Sequence, residues 1–240
     1  MGILMKNNRK WLIPIILSVL LISVILIYTG IYEHADPAAL TALETDENVS
    51  AAKTGYGWFF DGPSEKNVLI FYPGAKVEET AYAPLLRRLA REGMDVCLVK
   101  MPLRLAFLGI NLADDVPEAG QYENRYIGGH SLGGAMAASY AAGNSDRLSG
   151  VILFAAYPVK PLDDALLLIS IYGSEDGVLN MEKVSEGRSC APDRYFEHVI
   201  EGGNHAQFGD YGEQKGDKKA LISREEQQKQ TVDFIMQDID

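Results

Sequence analysis

A serine between glycines, in the segment Gly129-His130-Ser131-Leu132-Gly133, matches the pattern G-x-S-x-G. In this pattern the serine lies on a sharp turn between a strand and a helix, which exposes its hydroxyl as a nucleophile. The neighbouring residues predict such a turn, with an apolar strand over Arg125–Gly128 and an Ala- and Gly-rich helix over Leu132–Ala142. A glycine-rich strand–helix connection without catalytic function is the alternative interpretation.

A serine hydroxyl needs a base that removes its proton, and the chain contains four histidines. His205 follows a strand predicted over Tyr195–Ile200, in the segment Gly202-Gly203-Asn204-His205. It is the candidate base, because ligands of α/β proteins bind at the carboxyl ends of parallel strands. An ordinary polar loop histidine is the alternative. The other three histidines are less suitable. His34 lies beside an apolar segment, His130 adjoins the serine but is expected to point away from it, and His198 lies inside a predicted strand.

A catalytic histidine is oriented by a carboxylate that accepts a hydrogen bond from its ring. Glu175 and Asp176 follow a strand predicted over Leu166–Tyr172 and therefore belong to the same edge of the sheet as His205. Asp176 is the better candidate, because it lies in an Asp-Gly turn that directs it back towards the site. The three candidates then occur in the chain in the order serine, aspartate, histidine.

The elements that must position these side chains are short apolar runs alternating with helical patterns. Strands are predicted over Tyr56–Phe60, Val68–Tyr72, Asp95–Met101, Arg125–Gly128, Val151–Ala155, Leu166–Tyr172 and Tyr195–Ile200, and helices over Thr80–Glu92, Leu132–Ala142 and from Ser223 towards Ile239. This alternation predicts an α/β fold with a mostly parallel sheet and helices on both faces. A further apolar, helix-like stretch begins at Leu103. About ten residues, from Ala156 to Ala165, separate two of the strands, too few for a large cap domain.

The formal net charge of −11 is unevenly distributed along the 240 residues. Such an acidic chain offers no electrostatic footprint for nucleic acid, which we therefore exclude as a partner. The first 30 residues, however, contain three basic and no acidic side chains. From Trp11 to Tyr32 no residue is charged, and a helix of this length crosses a bilayer core of about 30 Å.

The basic residues before the apolar run predict a cytoplasmic N-terminus and an extracytoplasmic remainder. We expect a basic flank at 1–10, an uncleaved single-pass transmembrane anchor at 11–32, a stalk, linker or short surface helix at 33–55, and one domain at 56–240. A cleaved signal peptide, which would release a secreted domain, is one alternative. A buried core helix is the other.

Four segments together resemble the α/β-hydrolase superfamily, and most of all its small, membrane-anchored bacterial branch related to dienelactone hydrolases and carboxylesterases. They are Phe71–Ala75, Gly129–Gly133, Gly173–Gly177 and Gly202–Gly209. The resemblance implies an α/β-hydrolase fold and cleavage of an ester-type bond in a small-molecule substrate through an acyl-enzyme. Ser131, Asp176 and His205 would form the catalytic triad. Acyltransferase or peptidase activity, and non-catalytic binding at a surface, are the alternatives.

The oxyanion of such a reaction needs two backbone N–H donors. Leu132 directly follows the nucleophile and supplies the first. The second comes from the loop after Val68–Tyr72, where many relatives carry His-Gly; this chain has Pro73-Gly74-Ala75, so Ala75 is the candidate. The residues expected around the substrate pocket are Lys76, Met101, Tyr157 and Phe208.

We expect neither a cofactor nor a metal, because no cluster of His, Cys and Asp has the spacing of metal ligands. We also expect no disulfide between Cys97 and Cys190. Several strands at about 4.8 Å each separate them, whereas a disulfide needs Cα atoms within about 7 Å. The oligomeric state is not predicted.

Overall fold

The computed structural model describes residues 9–239 and divides into two units, one that ends at Tyr32 and one that begins at Glu33. In the first unit, helix α1 (Arg9–Gly30) is dominated by Ile, Leu and Val, and its described side chains are exposed. The segment Lys10–Tyr28 is long and apolar enough to cross a bilayer. Its exposure contradicts a buried core helix and leaves an anchor or a signal sequence. Most of the expected basic flank lies outside the described residues.

The second unit is built on a sheet that, within the described residues, has eight strands in the order β1-β2-β4-β3-β5-β6-β7-β8. The strands are β1 (Ser50–Lys53), β2 (Gly57–Asp61), β3 (Asn67–Tyr72), β4 (Met94–Val99), β5 (Asn124–His130), β6 (Gly150–Phe154), β7 (Leu167–Gly173) and β8 (Arg194–Ile200). β1 and β2 are antiparallel to their neighbours, and the strands from β4 to β8 in this order are parallel. The predicted mostly parallel sheet is confirmed.

The central strands are buried on both faces, which explains why they are continuous apolar runs rather than alternating ones. Successive side chains of β3 enter opposite layers of the core. Leu69 and Phe71 pack in one layer, and Val68 and Ile70 pack in the other. Because each layer needs a cover, helices are required on both faces.

The helices of the second unit are α2 (Pro37–Thr41), α3 (Ala83–Arg91), α4 (Leu132–Ala141), α5 (Met181–Gly187) and α6 (Arg224–Ile239). α3 and α6 contact each other and bury their apolar stripes in the layer that contains Leu69. α4 covers the opposite layer with small side chains, among them Ala137 and Ala141. α3 is shorter than the helix predicted over Thr80–Glu92, because Pro84 favours the first turn of a helix.

Residues 33–55, for which we expected a stalk, linker or short surface helix, belong to the second unit. They contain α2, and β1 pairs with β2 at the edge of the sheet. Ala39 and Val49 are fully buried. Few side chains of this segment enter the core, so its sequence lacks the apolar period of an internal element.

The chain between β4 and β5 forms short 3-10 turns instead of the helix-like stretch expected from Leu103. Leu103 and Arg104 have φ values of 50° and 58°, in the left-handed region that ends a regular helix. Between Phe154 and Leu167 the described chain has neither helix nor strand. As predicted, this connection is too short for a cap domain.

Candidate active site

Ser131 lies on the turn between β5 and α4 that the sequence predicts. Its φ of 54° and ψ of −121° lie outside the regions that a non-glycine residue prefers. The Ser131 N–H donates to Phe154 O at 2.9 Å, which ties the turn to the end of β6. Such a strained backbone persists only where its surroundings hold it in place.

Two glycines let this turn approach β3. A Cβ atom on Gly129 would lie 2.3 Å from Tyr72 O, and one on Gly133 would lie 2.1 Å from the same atom. Both distances are below any possible contact, so the close approach requires glycine at both positions. The first turn of α4 is thereby held against the end of β3.

His205 and Asp176 form a buried pair at the carboxyl edge of the sheet. The distance between His205 Nδ1 and Asp176 Oδ2 is 2.8 Å, and each side chain is 1% exposed. Asp176 Oδ1 accepts from Val178 N at 2.8 Å and from Leu179 N at 2.7 Å. Because the carboxylate can only accept, Nδ1 carries the proton of the neutral ring and leaves Nε2 as an acceptor.

Ser131 and His205 line the same cavity, whose volume is about 260 Å³. Among the described residues, His205 Nε2 is buried and has no hydrogen-bond partner. An unpaired acceptor in the same cavity as a serine could accept the hydroxyl proton, and hydrogen bonds of this kind often tighten only when a substrate binds. The other lining residues are Leu132, Ala135, Ala155, Ala156, Tyr157, Val178, Leu179 and Asn180.

The two amides expected to stabilise an oxyanion have no protein acceptor in the part of the chain that the structure describes. Leu132 is the first residue of α4 and lines the cavity. Ala75 lies in the turn after β3 and is not among the lining residues. The next amide, Lys76 N, donates to Arg104 O at 2.9 Å. Of these two loop amides, only Ala75 N is therefore available to a ligand.

The four residues expected around the pocket differ in position. Tyr157 lines the cavity. Met101 and Phe208 do not, because both side chains are buried in the core. Lys76 is also absent from the lining. The sequence analysis missed Val178 and the two residues after it, although Val178 lies only two positions after the candidate acid.

His130, the neighbour of Ser131 in the sequence, is not among the residues that line the cavity, but it contacts the other candidate residue. Its ring and that of His205 have centroids 4.5 Å apart. His130 Nε2 lies 3.1 Å from His205 O, and Nδ1 lies 2.8 Å from Tyr82 Oη. Burial lowers the pKa of His130 well below its usual value of 6.5, so the ring is neutral at physiological pH.

Asp217 was not singled out in the sequence and holds both loops of the buried pair. Its Oδ1 accepts from Gly177 N and its Oδ2 accepts from Ala206 N, each at 2.9 Å. Gly177 follows Asp176, and Ala206 follows His205. Nothing local marks Asp217, since it is one acidic residue in a polar segment.

Within residues 9–239, no group of three or more His, Cys, Asp or Glu side chains is arranged to hold a metal ion. Both cysteines are described, and no disulfide joins Cys97 to Cys190, as predicted. Cys97 lies on β4 and Cys190 precedes β8, on opposite sides of the sheet centre. The arrangement is thus that of a serine with a buried histidine–carboxylate pair.

Comparison with known proteins gives one matching family and many similar folds. The sequence profile described as "Alpha/beta hydrolase family" matches residues 68–229. No curated protein matches the chain at a significant level. The monoacylglycerol lipase of Paleococcus ferrophilus is 14% identical with a TM-score of 0.58, over 80% of this chain and 99% of that one.

Two further solved structures have the same fold. Est1E from Butyrivibrio proteoclasticus is 13% identical with a TM-score of 0.55, over 80% of this chain and 99% of that chain. It has also been solved with bound ferulic acid. TT1662 from Thermus thermophilus is 14% identical with a TM-score of 0.55, over 80% and 99% of the two chains. At these identities the likeness shows the fold alone.

Proposed function

Since the chain belongs to the alpha/beta hydrolase family, we propose that it is a serine hydrolase that cleaves an ester-type bond through an acyl-enzyme. Ser131 is the nucleophile, His205 is the general base and Asp176 orients the histidine. The observation that carries this proposal is the state of His205. Its Nδ1 is paired with Asp176 at 2.8 Å, while its Nε2 is unpartnered among the described residues and the side chain lines the cavity of Ser131.

In the first half-reaction, Ser131 Oγ attacks the carbonyl carbon of the ester and its proton passes to His205 Nε2. The negative charge on the carbonyl oxygen is stabilised by the N–H groups of Leu132 and Ala75. A donor of this kind contributes about 10²–10³-fold to the rate. The collapse of the tetrahedral intermediate breaks the bond to the alcohol oxygen, which takes the proton from His205.

In the second half-reaction, water replaces the alcohol. His205 Nε2 accepts a proton from the water as its oxygen attacks the acyl carbon, and the same two amides stabilise the second oxyanion. The bond to Ser131 Oγ then breaks, and the serine recovers its proton from His205. Asp176 stabilises the imidazolium that forms in each half-reaction.

The substrate in this proposal is a small-molecule ester with an uncharged acyl group. Among the described residues that line the cavity, only His205 and Tyr157 have side chains of the ionisable types. The walls include Ala135, Ala155 and Ala156. An anionic acyl group would find no cation there. The names of similar structures, a monoacylglycerol lipase and an esterase solved with ferulic acid, support this substrate class.

The proposal extends to the branch of the family and to the location of the enzyme. We assign the chain to the membrane-anchored branch related to dienelactone hydrolases and carboxylesterases, with α1 retained as a single-pass anchor. The anchor is supported by the length and apolar composition of Lys10–Tyr28. The part from Glu33 onward is then the catalytic domain, outside the cytoplasm, and secretion after signal cleavage is the alternative.

A fluorophosphonate probe tests the nucleophile. Full-length protein in non-ionic detergent should be labelled and should hydrolyse p-nitrophenyl acetate, whereas Ser131→Ala should do neither. Ser139→Ala is the matched control, because Ser139 lies on the same helix and only bonds its hydroxyl to Ala135 O at 2.8 Å. An unlabelled wild-type protein, or a labelled Ser131→Ala variant, contradicts the proposal. Amide substrates and added acceptor alcohols then separate hydrolysis from peptidase and transferase activity.

A further inference from the structure

A chain of buried hydrogen bonds joins the loop after β3 to the backbone of His205. Gly74 N donates to Tyr82 Oη at 3.1 Å. Tyr82 Oη lies 2.8 Å from His130 Nδ1, and His130 Nε2 lies 3.1 Å from His205 O. The side chains of Tyr82 and His130 are no more than 1% exposed. Water therefore does not compete for these hydrogen bonds.

Only one arrangement of protons satisfies all three contacts. His205 O can only accept, so His130 Nε2 carries a hydrogen. The neutral His130 ring then has its lone pair on Nδ1, and Tyr82 Oη must donate to it. The oxygen of Tyr82 accepts from Gly74 N. Each of these three hydrogen bonds is therefore donated in the direction that runs from the loop after β3 towards His205.

The surroundings keep both side chains of this chain neutral. Burial lowers the pKa of His130 and raises the pKa of Tyr82. The ring of Tyr82 packs against Phe71, with centroids 5.1 Å apart, and that of His130 packs against Phe208 at 5.7 Å. Both side chains are therefore neutral at physiological pH, and the proton arrangement holds there.

Each end of this series of hydrogen bonds lies at the backbone next to a group that the proposed reaction uses. Gly74 directly precedes Ala75, the second oxyanion donor of the proposed function. A Cβ atom on Gly74 would lie 2.8 Å from both His130 Nδ1 and Tyr82 Oη, so the loop approaches these side chains as closely as glycine allows. At the other end, the accepting carbonyl belongs to His205 itself.

We propose that Tyr82 and His130 are positioning residues that hold the Ala75 amide and the His205 imidazole in the geometry of one reaction. Neither side chain touches the substrate. The inference rests on the proposed function, because it concerns the oxyanion donor and the base of that reaction. It also gives a role to His130, the second residue of the G-x-S-x-G pattern, which the proposed mechanism leaves unused.

Tyr82→Phe tests the first half of this proposal and has a matched control in Tyr72→Phe. Tyr72 is equally buried, and its hydroxyl also makes two hydrogen bonds, to Ile110 O at 2.8 Å and from Ala113 N at 2.9 Å. With p-nitrophenyl acetate, Tyr82→Phe should lower kcat by about 10-fold or more and change KM little. Labelling by the fluorophosphonate should slow in parallel. Tyr72→Phe should lower the melting temperature comparably and keep kcat near that of the wild type.

Substitutions of His130 test the second half. His130→Gln keeps a donor for His205 O and loses the acceptor for Tyr82, whereas His130→Asn keeps an acceptor and does not reach His205 O. Both should lower kcat, and each should preserve the shape of the pH–rate profile, because His130 is not the base. In the Tyr82→Phe/His130→Gln double variant, the losses should not multiply, since both substitutions break one chain.

Labelling distinguishes the failure of this inference from the failure of the proposed function. If the wild-type protein is not labelled, both the proposed serine hydrolase activity and the positioning role of Tyr82 and His130 are contradicted. A labelled wild-type protein whose Tyr82→Phe variant matches Tyr72→Phe overturns the positioning role alone. So does a pH–rate profile that loses its acidic limb in His130→Gln, or a double variant whose losses multiply. If Tyr82→Phe does not fold, the two His130 variants and their pH–rate profiles decide the question.

Discussion

His130 illustrates how burial sets the chemistry of a single residue. In the folded chain its imidazole has a pKa well below 6.5, because burial penalises the charged form and His205 is close by. In the unfolded chain the imidazole has its ordinary pKa. Below pH 6.5 the unfolded state therefore binds a proton that the native state resists, and the native state loses stability as the pH falls.

This linkage predicts that the free energy of unfolding depends on pH, and that replacing His130 with a side chain that does not titrate weakens this dependence. As the pH falls below about 6.5, His130 should lower the free energy of unfolding by up to about 1.4 kcal/mol per pH unit. His130→Gln should lose this contribution to the slope. Urea unfolding of the full-length protein in detergent, followed by circular dichroism at several pH values, measures it. Tyr72→Phe is the control and should leave the slope unchanged, because burial raises the pKa of the Tyr72 hydroxyl and the substitution removes no group that titrates in this range. An equal slope in wild type and His130→Gln would contradict the prediction.

At the scale of elements, the contact between α4 and the end of β3 determines where the Leu132 amide lies. Gly133 is the residue of closest approach, because its α-carbon faces the carbonyl groups of Tyr72 and Pro73. A side chain at this position has no space, since both neighbours are backbone atoms. The first turn of α4 can then accommodate even one methyl group only by moving away from β3.

We therefore expect Gly133→Ala to affect both stability and activity. The methyl carbon would lie 2.1 Å from Tyr72 O and 2.3 Å from Pro73 O. The resulting displacement should cost about 1–3 kcal/mol of unfolding free energy and should lower kcat with p-nitrophenyl acetate. Gly143→Ala is the control, since its Cβ would meet Tyr140 O at an ordinary 3.8 Å. Equal stability and activity in the two variants would show that the close contact has no consequence.

The polar segment between β8 and α6 acts on the site through Asp217. Its carboxylate uses separate oxygens for Gly177 N and Ala206 N, so it links the loop of the candidate acid to the loop of the candidate base. Asp217→Asn retains only one acceptor oxygen and places an NH₂ group against an N–H donor. We expect kcat/KM to fall by about 10-fold and the unfolding free energy to fall by about 1–3 kcal/mol.

A carboxylate at the opposite edge of the sheet gives the control for Asp217. Asp163 Oδ1 accepts from Ala165 N at 2.9 Å, and Asp163 Oδ2 accepts from Ser145 Oγ at 3.4 Å. Asp163→Asn should cost some stability without lowering kcat/KM. Steady-state kinetics and thermal unfolding of both variants make the comparison. If both variants kept wild-type kcat/KM, Asp217 would have a structural role alone.

At the scale of the whole molecule, the net charge of −11 is the sum of two unlike parts. The first 30 residues contribute three basic charges and no acidic ones, and the remainder carries the acidic excess. The acidic excess therefore belongs to the rest of the chain, and the three basic residues precede the apolar run, on the side that the proposed anchor would leave in the cytoplasm. The two units differ as sharply in composition as in structure.

An anchor and a signal peptide predict different masses for the mature protein. If α1 is retained, the full-length mass should be found in the membrane fraction and should resist extraction with alkaline carbonate. Replacing Leu20, near the middle of Lys10–Tyr28, with Arg should weaken insertion by about 3–4 kcal/mol. Leu221→Arg, at an exposed leucine of the second unit, is the control. A shorter, soluble product would instead identify a signal peptide.

Much of this protein is predictable from local patterns. Apolar runs locate most of the strands, because parallel strands buried on both faces must be continuously apolar. Glycines around Ser131 predict the turn, because only glycine permits the close approach of backbone atoms. The edge of the sheet at which Ser131, Asp176 and His205 lie follows from the positions of these residues just after strands. Each of these inferences uses residues that are neighbours in the chain.

Tertiary structure alone decided the rest. The incorporation of residues 33–55 in the second unit, the link from Tyr82 through His130 to His205, and the double hydrogen bond of Asp217 all join parts that are distant in sequence. Such contacts leave no period or spacing in the chain. The sequence by itself determined which groups are candidates for the reaction and at which edge of the sheet they lie, because a position just after a strand and the chemistry of a turn are local features. How firmly those groups are held was decided by packing, because a hydrogen bond between remote residues exists only once the chain has folded.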